Sequence, residues 1–332
     1  MNKSDYKGIW VFAEQENGVI NPAVFEIIGK AHELKAHNGE EISAVLLGAD
    51  VEGLAQELIA RGADRVILAE HENLANYSAR PYQQALTQLA EKHQPSIILY
   101  AATTLGRDLA PRMMVSLKTG LTADAIDLSY DEDGVFCQTT PAYGGTIMAH
   151  IAIPEKRPQM ATVRTKLFTP LEADPSKKGE VIKECVAVDK DEAFRVLKTE
   201  KKQTAGIPLD QAKLIVSGGR GIKNEQQLAM LEELASLLHG TVASSRPLVE
   251  DGFLPHSKQI GQSGETVKPE VILNIGISGS TQYMIGMRDA GCIISINKDK
   301  NARIFDISNY GAVADLKTLV PAVIAEVKKR LN

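Results

Sequence analysis

The sequence predicts an α/β protein of two domains, each built around a parallel β-sheet. Three observations support this prediction. The chain has 332 residues, and domains commonly span roughly 100–200 residues. Continuous apolar runs of strand length alternate with amphipathic stretches of helical period, which is typical of parallel strands covered by helices on both faces. A β-rich region and a charged segment then interrupt this alternation, which resumes in the last part of the chain.

The first domain is assigned to residues 1–190. Its predicted strands are 8–14, 42–48, 65–70 and 96–102, and its predicted helices are 23–37, 51–62, 80–93 and 104–120. Residues 125–168 contain short β-rich runs separated by Asp-Gly, Gly-Gly and Pro signals, followed by a predicted loop over 169–180. These signals predict antiparallel hairpins added to the edge of the parallel sheet.

The charged segment 191–205 is assigned as a linker, and residues 206–332 as the second domain. The predicted strands of this domain begin at 213 and cover 241–247, 270–276, 292–299 and 303–308. Its predicted helices are 224–240 and 314–331, and residues 281–290 also have helical character. Asn224 is expected to cap the first of these helices, with Gln227 at capping-box spacing.

Composition excludes several classes of protein. The net charge of −5, with 44% apolar and 24% charged residues, is ordinary for a soluble protein and argues against nucleic-acid binding. Cys137, Cys185 and Cys292 lie far apart, so zinc ribbons and iron–sulfur clusters are not expected. The three cysteines are expected to be buried free thiols. No apolar segment approaches the ~18 residues of a membrane span. The N-terminus lacks a secretory apolar region, so a cytoplasmic location is expected.

Polar residues collect where the predicted strands of the second domain end. The six junctions are SGGRG, ASSRP, QIGQSGE, NIGISGSTQYMIG, INKD and YGAVADL. Each one alone is explained equally well as a tight turn or a surface loop. Because ligands of open parallel sheets bind beyond the carboxyl ends of the strands, the six together predict one site. A long ligand with phosphates, a ribose or ribityl chain and a heterocycle, such as a dinucleotide, fits this set of groups.

The motifs VSGGRG, SRP, GQSG, ISGSTQYMIGM, INKDKNARIF and NYGAVADL, in this order and spacing, resemble the α subunit of electron-transfer flavoproteins. The resemblance covers essentially the whole chain. It implies a C-terminal Rossmann- or flavodoxin-like domain that binds FAD, and a β subunit as the partner in a heterodimer. It also implies an electron carrier within an oxidoreductase system, and no catalytic or metal-binding residue is expected.

The resemblance implies a role for each junction. Arg220 corresponds to the diphosphate region, Arg246 to the isoalloxazine ring and Asn297 to the adenosine end. The implied cofactor-binding residues are Arg220, Ser245, Arg246, Gln262, Ser263, Gly264, Ser278, Gly279, Ser280, Thr281, Gln282, Tyr283, Asn297, Asp315 and Leu316.

Two residues depart from the family pattern. Ser263 stands where a threonine is expected, and its hydroxyl is expected to reach flavin N5. Tyr283 stands where many family members have histidine, near the flavin C2 carbonyl. Because tyrosine is neutral at pH 7, we expect it to act as a neutral donor to the flavin or as a ring packed on it.

The resemblance leaves two kinds of electron carrier open. One relays electrons from acyl-CoA dehydrogenases to a quinone reductase. The other oxidises NADH and divides the electrons between ferredoxin and an enoyl-CoA reductase, by flavin-based bifurcation. The Tyr283 departure favours the second kind. The competing classes are a non-redox nucleotide-binding or sensor protein on the same fold, and a stand-alone dehydrogenase.

Overall fold

The computed structural model describes residues 3–142, 147–194, 196–198 and 207–331. Backbone contacts divide the chain into two compact units, Met1–Thr199 and Glu200–Asn332. The proposed linker 191–205 falls partly outside the described residues, so its assignment stays a prediction. Within the described ranges, no helix is both long enough and apolar enough to cross a membrane.

The first unit contains a parallel sheet, a small antiparallel sheet and helices. Its strands are β1 Ile9–Phe12, β2 Gln15–Glu16, β3 Val19–Ile20, β4 Ile42–Gly48, β5 Arg65–Glu70, β6 Ile97–Ala101, β7 Leu121–Ala125, β8 Asp127–Tyr130, β9 Phe136–Ala142, β10 Ile147–Ala152, β11 Gln159–Val163 and β12 Glu180–Glu184. Its α-helices are α1 Pro22–Asn38, α2 Ala55–Ala60, α3 Ala79–His93 and α4 Thr104–Ser116, and short 3₁₀ helices cover Lys3–Asp5, Glu52–Leu54 and Glu72–Leu74.

The large sheet has the order β12-β5-β4-β1-β6-β11-β7, and all its pairings are parallel. Side chains of β1 alternate between two cores. Ile9 and Val11 pack against α1 and α2, whereas Trp10 and Phe12 pack against α3 and α4. This two-sided burial explains why the strands are continuous apolar runs, and it confirms the predicted fold class.

Residues 125–168 contain the predicted antiparallel hairpins, but these do not extend the edge of the large sheet. β8, β9 and β10 form a separate antiparallel sheet, while β7 and β11 join the large sheet as parallel strands. The opposite edge carries β12, which begins at the end of the predicted loop 169–180 and pairs with β5. Parallel edge pairing joins residues far apart in the chain, so local turn signals do not reveal it.

The expectation of three buried cysteines is wrong. Cys185 is exposed, and Cys137 and Cys292 are half-buried; all three are free thiols. Cys185 lies just after the edge strand β12, where the backbone is leaving the sheet and one side is open to solvent.

The second unit is a five-stranded parallel sheet with helices. Its strands are β13 Leu214–Gly218, β14 Thr241–Ser244, β15 Val271–Ile275, β16 Cys292–Asn297 and β17 Tyr310–Val313. Its α-helices are α5 Glu225–Leu237, α6 Arg246–Glu250, α7 Thr281–Ile285 and α8 Leu316–Leu331, and 3₁₀ helices cover Leu209–Gln211, His256–Lys258 and Arg303–Ile307.

The strand order is β14-β13-β15-β16-β17, which is 2-1-3-4-5 when counted along this unit. This is the flavodoxin-like order of doubly wound sheets, and it places a topological switch point between β13 and β15. α5 and α8 pack on one face of the sheet, and α7 with the 3₁₀ helix 303–307 packs on the other. The order therefore identifies the carboxyl edge between β13 and β15 as the expected ligand-binding edge.

Two local predictions meet different outcomes. Asn224 does cap α5, since its side chain accepts from the Gln227 amide at 3.0 Å; the Gln227 side chain accepts from the amide of Lys223, not that of Asn224. The predicted strand 303–308 is wrong, because Arg303–Ile307 is a 3₁₀ helix. Its apolar Ile304 and Ile307 are three residues apart, which places both on one face at three residues per turn.

Candidate functional site

A cavity of about 840 Å³ opens at the carboxyl edge of the second unit's sheet. Its wall is formed by the loops that follow all five strands, together with the segment 259–263. Pockets that hold cofactors or drug-sized molecules have volumes of about 300–1,000 Å³. The cavity therefore has both the position and the size expected of a ligand site in a sheet of this order.

Three glycines allow the loops after β13 and β15 to pack against each other. A Cβ atom on Gly219 would lie 2.4 Å from the Gly276 carbonyl oxygen, and one on Gly221 would lie 2.8 Å from the Gly276 Cα. The Gly221 amide also donates to the Gly276 carbonyl at 3.1 Å. The SGGRG turn thus brings Arg220 to the cavity because no side chain separates the two loops.

The segment 276–282, called here the cavity loop, is held from two sides. The Asn297 side chain at the end of β16 donates to the Ile277 carbonyl at 2.8 Å. The Ile304 amide of the 3₁₀ helix donates to the Ser278 carbonyl at 3.2 Å. Gly279 permits this second approach, since its φ is +81° and a Cβ atom there would lie 2.1 Å from the Ile304 nitrogen.

Twelve of the fifteen residues proposed for cofactor binding lie on the cavity wall, and Gly264, Gly279 and Thr281 do not. A Cβ atom on Gly264 would meet the Gln259 carbonyl oxygen at 2.4 Å, so this glycine allows a tight backbone turn. Thr281 is the first residue of α7. These three residues lie off the wall, whereas the other twelve border the cavity.

Several of the lining side chains carry donors that make no hydrogen bond within the described part of the chain. Apart from the three lysines of the wall, Lys223, Lys298 and Lys317, the set comprises six residues: Arg220, Ser245, Gln262, Ser278, Ser280 and Gln282. Five of these six residues are well exposed, namely Arg220, Gln262, Ser278, Ser280 and Gln282. A cluster of hydroxyl, amide and guanidinium donors around one space suits a ligand with many oxygen and ring-nitrogen acceptors.

Other predicted residues already have partners. The Arg246 Nε donates to Glu250 at 2.8 Å, and the Ser263 hydroxyl accepts from the Gln259 amide at 3.1 Å. Asn297 holds the cavity loop, and Asp315 accepts from the Lys317 amide at 2.9 Å as the cap of α8. Two of these residues keep free donors for a ligand, because the Nη groups of Arg246 are not used and the Ser263 hydroxyl only accepts in its present contact.

The cavity wall is more basic than acidic. Five basic residues, Arg220, Lys223, Arg246, Lys298 and Lys317, face three acidic residues, Glu250, Asp299 and Asp315. The excess of two positive charges favours an anionic ligand in a chain that is acidic as a whole. Sequence reasoning missed Lys223, Glu250 and Lys317 as wall residues. All three lie within three residues of recognised junctions, which is the signal that identifies them.

Tyr283 differs from the expectation for its hydroxyl. Its side chain is 3% exposed, and the hydroxyl lies 2.7 Å from Asn274 Oδ1 and 2.8 Å from the Ser217 hydroxyl, both inside the domain. Burial raises the pKa of the Tyr283 hydroxyl well above its ordinary value, so it stays neutral. The residue reaches the cavity wall, but its donor is turned into the core.

Comparison with known proteins adds independent information on the chain. The family profile described as "Electron transfer flavoprotein domain" matches residues 9–189, and the one described as "Electron transfer flavoprotein FAD-binding domain" matches residues 208–288. The chain is 42% identical over 327 residues to an electron transfer flavoprotein subunit alpha of Thermoanaerobacterium thermosaccharolyticum, covering 98% of this chain and 99% of the relative.

Two further relatives differ in their names. Protein FixB of Clostridium saccharobutylicum is 41% identical over 333 residues, covering 100% of this chain and 99% of the relative. The lactate dehydrogenase (NAD(+),ferredoxin) subunit LctC of Acetobacterium woodii is 41% identical over 332 residues, covering 99% of this chain and 78% of the relative.

Proposed function

The chain belongs to the electron transfer flavoprotein family as an α subunit, and on this premise we propose that it binds FAD in the cavity of its second unit. The observation that carries the proposal is the set of lining donors without partners at the switch point of the sheet. Bound FAD would supply the electron-accepting and electron-donating chemistry. The chain itself then serves as an electron carrier between other redox proteins.

The donor set fits the parts of FAD. Arg220, supported by the excess of basic residues, matches the diphosphate. Ser278, Ser280 and Gln282 offer hydroxyl and amide donors to a ribityl chain and to the ring acceptors. Gln262 lies beside Gln282, since the backbone amide of Gln262 donates to the backbone carbonyl of Gln282 at 2.8 Å. A backbone hydrogen bond thus joins the two loops at the cavity wall.

The partners follow from the family. α subunits of this family pair with a β subunit, and we propose an acyl-CoA dehydrogenase or an enoyl-CoA reductase as the flavoenzyme that exchanges electrons with the pair. We also propose that the system is NADH-dependent and passes part of its electrons to ferredoxin. The support is the name of the Acetobacterium relative, because this name includes both NAD(+) and ferredoxin. Relay to a quinone reductase is the alternative.

The experiment is to purify the chain together with its β subunit and to count flavins. FAD binding predicts a yellow complex that releases FAD on denaturation. Two FAD per complex, with flavin reduction by NADH, would support the NADH-dependent system. One FAD per complex without reaction with NADH would contradict it and support the relay.

A non-redox nucleotide-binding protein is the competing class, since the same cavity offers diphosphate-binding groups. It predicts a colourless complex that binds ADP or ATP and takes up no added FAD. Acyl-CoA turnover by the complex without any dehydrogenase would instead identify a stand-alone dehydrogenase.

A further inference from the structure

Three polar side chains lie in register across the middle of the second unit's sheet. Ser217 of β13 pairs with Asn274 of β15, which pairs with Ser295 of β16. Their exposures are 0%, 1% and 0%. Buried polar residues on neighbouring central strands are costly unless they are hydrogen-bonded, so this row requires an explanation.

Tyr283 of α7 completes the row and makes it one continuous chain of hydrogen bonds. Asn274 Oδ1 can only accept, so the Tyr283 hydroxyl donates to it and accepts from the Ser217 hydroxyl. The Asn274 amide donates to the Ser295 hydroxyl at 3.3 Å. Every group of this segment is therefore both buried and paired.

The hydrogen-bond chain continues to the 3₁₀ helix Arg303–Ile307, which packs on the same face of the sheet as α7. The Ser308 hydroxyl donates to the Ile304 carbonyl at 2.7 Å, so at its 2.7 Å contact with Ser295 it accepts. All protons of the chain thus run in one direction, from Ser217 to Ile304. A single break leaves buried donors or acceptors without a partner.

Two members of this hydrogen-bond chain, Tyr283 and Ile304, hold the cavity loop 276–282. Tyr283 follows the loop directly and fixes the first turn of α7 to the sheet. Ile304 in turn donates its amide to the Ser278 carbonyl in the middle of the loop. Ser217, Ser295 and Ser308 themselves are not on the cavity wall.

We propose that this buried hydrogen-bond chain positions the cavity loop for FAD, and that Tyr283 acts through it as a positioning residue, without its hydroxyl touching the cofactor. The inference rests on the proposed FAD site. It predicts that Ser295 affects cofactor binding as much as Tyr283 does, although Ser295 lies outside the cavity wall.

The test uses the full-length polypeptide in complex with its β subunit. The variants are Tyr283→Phe, Ser295→Ala and the double variant, with Tyr310→Phe as the control, since Tyr310 is exposed in the same unit. For each, the FAD dissociation constant, the thermal midpoint of the FAD-free complex and the flavin midpoint potential are measured. If Tyr283→Phe does not fold, Ser295→Ala, the smaller change, carries the test.

We expect each single variant to raise the FAD dissociation constant roughly tenfold, since one broken buried pair changes binding by about that factor. The thermal midpoint falls in both, and the potential of bound flavin stays as in the wild type. In the double variant, we expect the FAD dissociation constant to rise by clearly less than the product of the two single-variant factors, because both changes break one network.

Two results would overturn the inference. A lower thermal midpoint with unchanged FAD affinity would show that the hydrogen-bond chain stabilises the fold without positioning the cavity loop. A shifted potential in Tyr283→Phe but not in Ser295→Ala would show that the hydroxyl acts on the cofactor itself. A wild-type complex that takes up no FAD would contradict the proposed function. In that case, non-additive decreases of the thermal midpoint in the two variants would still support the hydrogen-bond chain. Additive decreases would contradict it.

Discussion

Two arginines on the cavity wall differ in what they can offer a ligand. Arg246 is engaged by Glu250 one helical turn away, in an exposed i,i+4 pair. Arg220 is exposed and makes no hydrogen bond within the described ranges, and the close packing of Gly219 and Gly221 holds its backbone in place. An unpaired guanidinium on a fixed backbone can bind an anion without giving up an existing ion pair, which Arg246 would have to do to use its Nε.

Arg220→Ala is therefore expected to weaken FAD binding by roughly ten- to a hundredfold, because a charge-assisted hydrogen bond contributes about 1.5–3 kcal/mol. Fluorescence titration of the FAD-free complex measures the change. Arg288→Ala serves as the matched control, since Arg288 is exposed in the same unit and lies off the cavity wall. Equal affinities of the two variants would remove Arg220 from the site.

Single side chains also join whole elements. In the first unit, Asp64, just before β5, accepts from the Ile42 amide at the start of β4 and from Lys35 near the end of α1, each at 2.8 Å. Burial raises the pKa of the Asp64 carboxyl, but the Ile42 amide and Lys35 outweigh it and hold this pKa below its ordinary value. One carboxylate thus ties a helix to two adjacent strands.

Because its pKa is lowered in the folded state, Asp64 stabilises the fold fully above its ordinary pKa, and this contribution is lost as the pH falls through the folded value. Asp64→Asn is expected to lower the free energy of unfolding at neutral pH by about 1–2 kcal/mol. It also flattens the loss of stability below about pH 4. Urea unfolding across this range measures both. Asp133→Asn, in an exposed turn, is the control, and an unchanged acid profile would contradict the role of Asp64.

At the scale of the whole molecule, the two units have separate cores and separate sheets. The proposed cofactor groups all belong to the second unit. A ligand stabilises the folded state to which it binds, by about 2.7 kcal/mol at a hundredfold excess over its dissociation constant. The effect of FAD on stability is therefore expected to be unequal between the units.

Calorimetry of the purified chain tests this expectation. Excess FAD should raise the temperature of the unfolding transition that belongs to the second unit and leave that of the first unit in place. Riboflavin, which lacks the diphosphate and the adenosine, is the ligand control and should have a much smaller effect. Equal shifts of all transitions would show that FAD stabilises both units.

Much of the fold was predictable from local pattern. Strands 42–48 and 65–70 agree with the structure to the residue, because continuous apolar runs have few alternatives in a two-sided parallel sheet. The missed or misread elements include β12, β17 and the 3₁₀ helix 303–307, and also β2, β3, β7 and α6. Strands β12 and β17 lie at sheet edges, and β12 pairs only with the distant strand β5. The 3₁₀ helix 303–307 follows a hydrophobic spacing that also fits a strand.

By itself, the sequence determined the family, the fold class and the clustering of polar junctions at one edge of the second sheet. Strand ends of a parallel sheet must meet at one edge, so order along the chain was enough. Only the tertiary structure decided the direction of each side chain. Tyr283 stands in a motif that predicts contact with the cofactor, yet its hydroxyl reaches Asn274 and Ser217. These partners come from two different strands, and only the packing of α7 against the sheet brings them together.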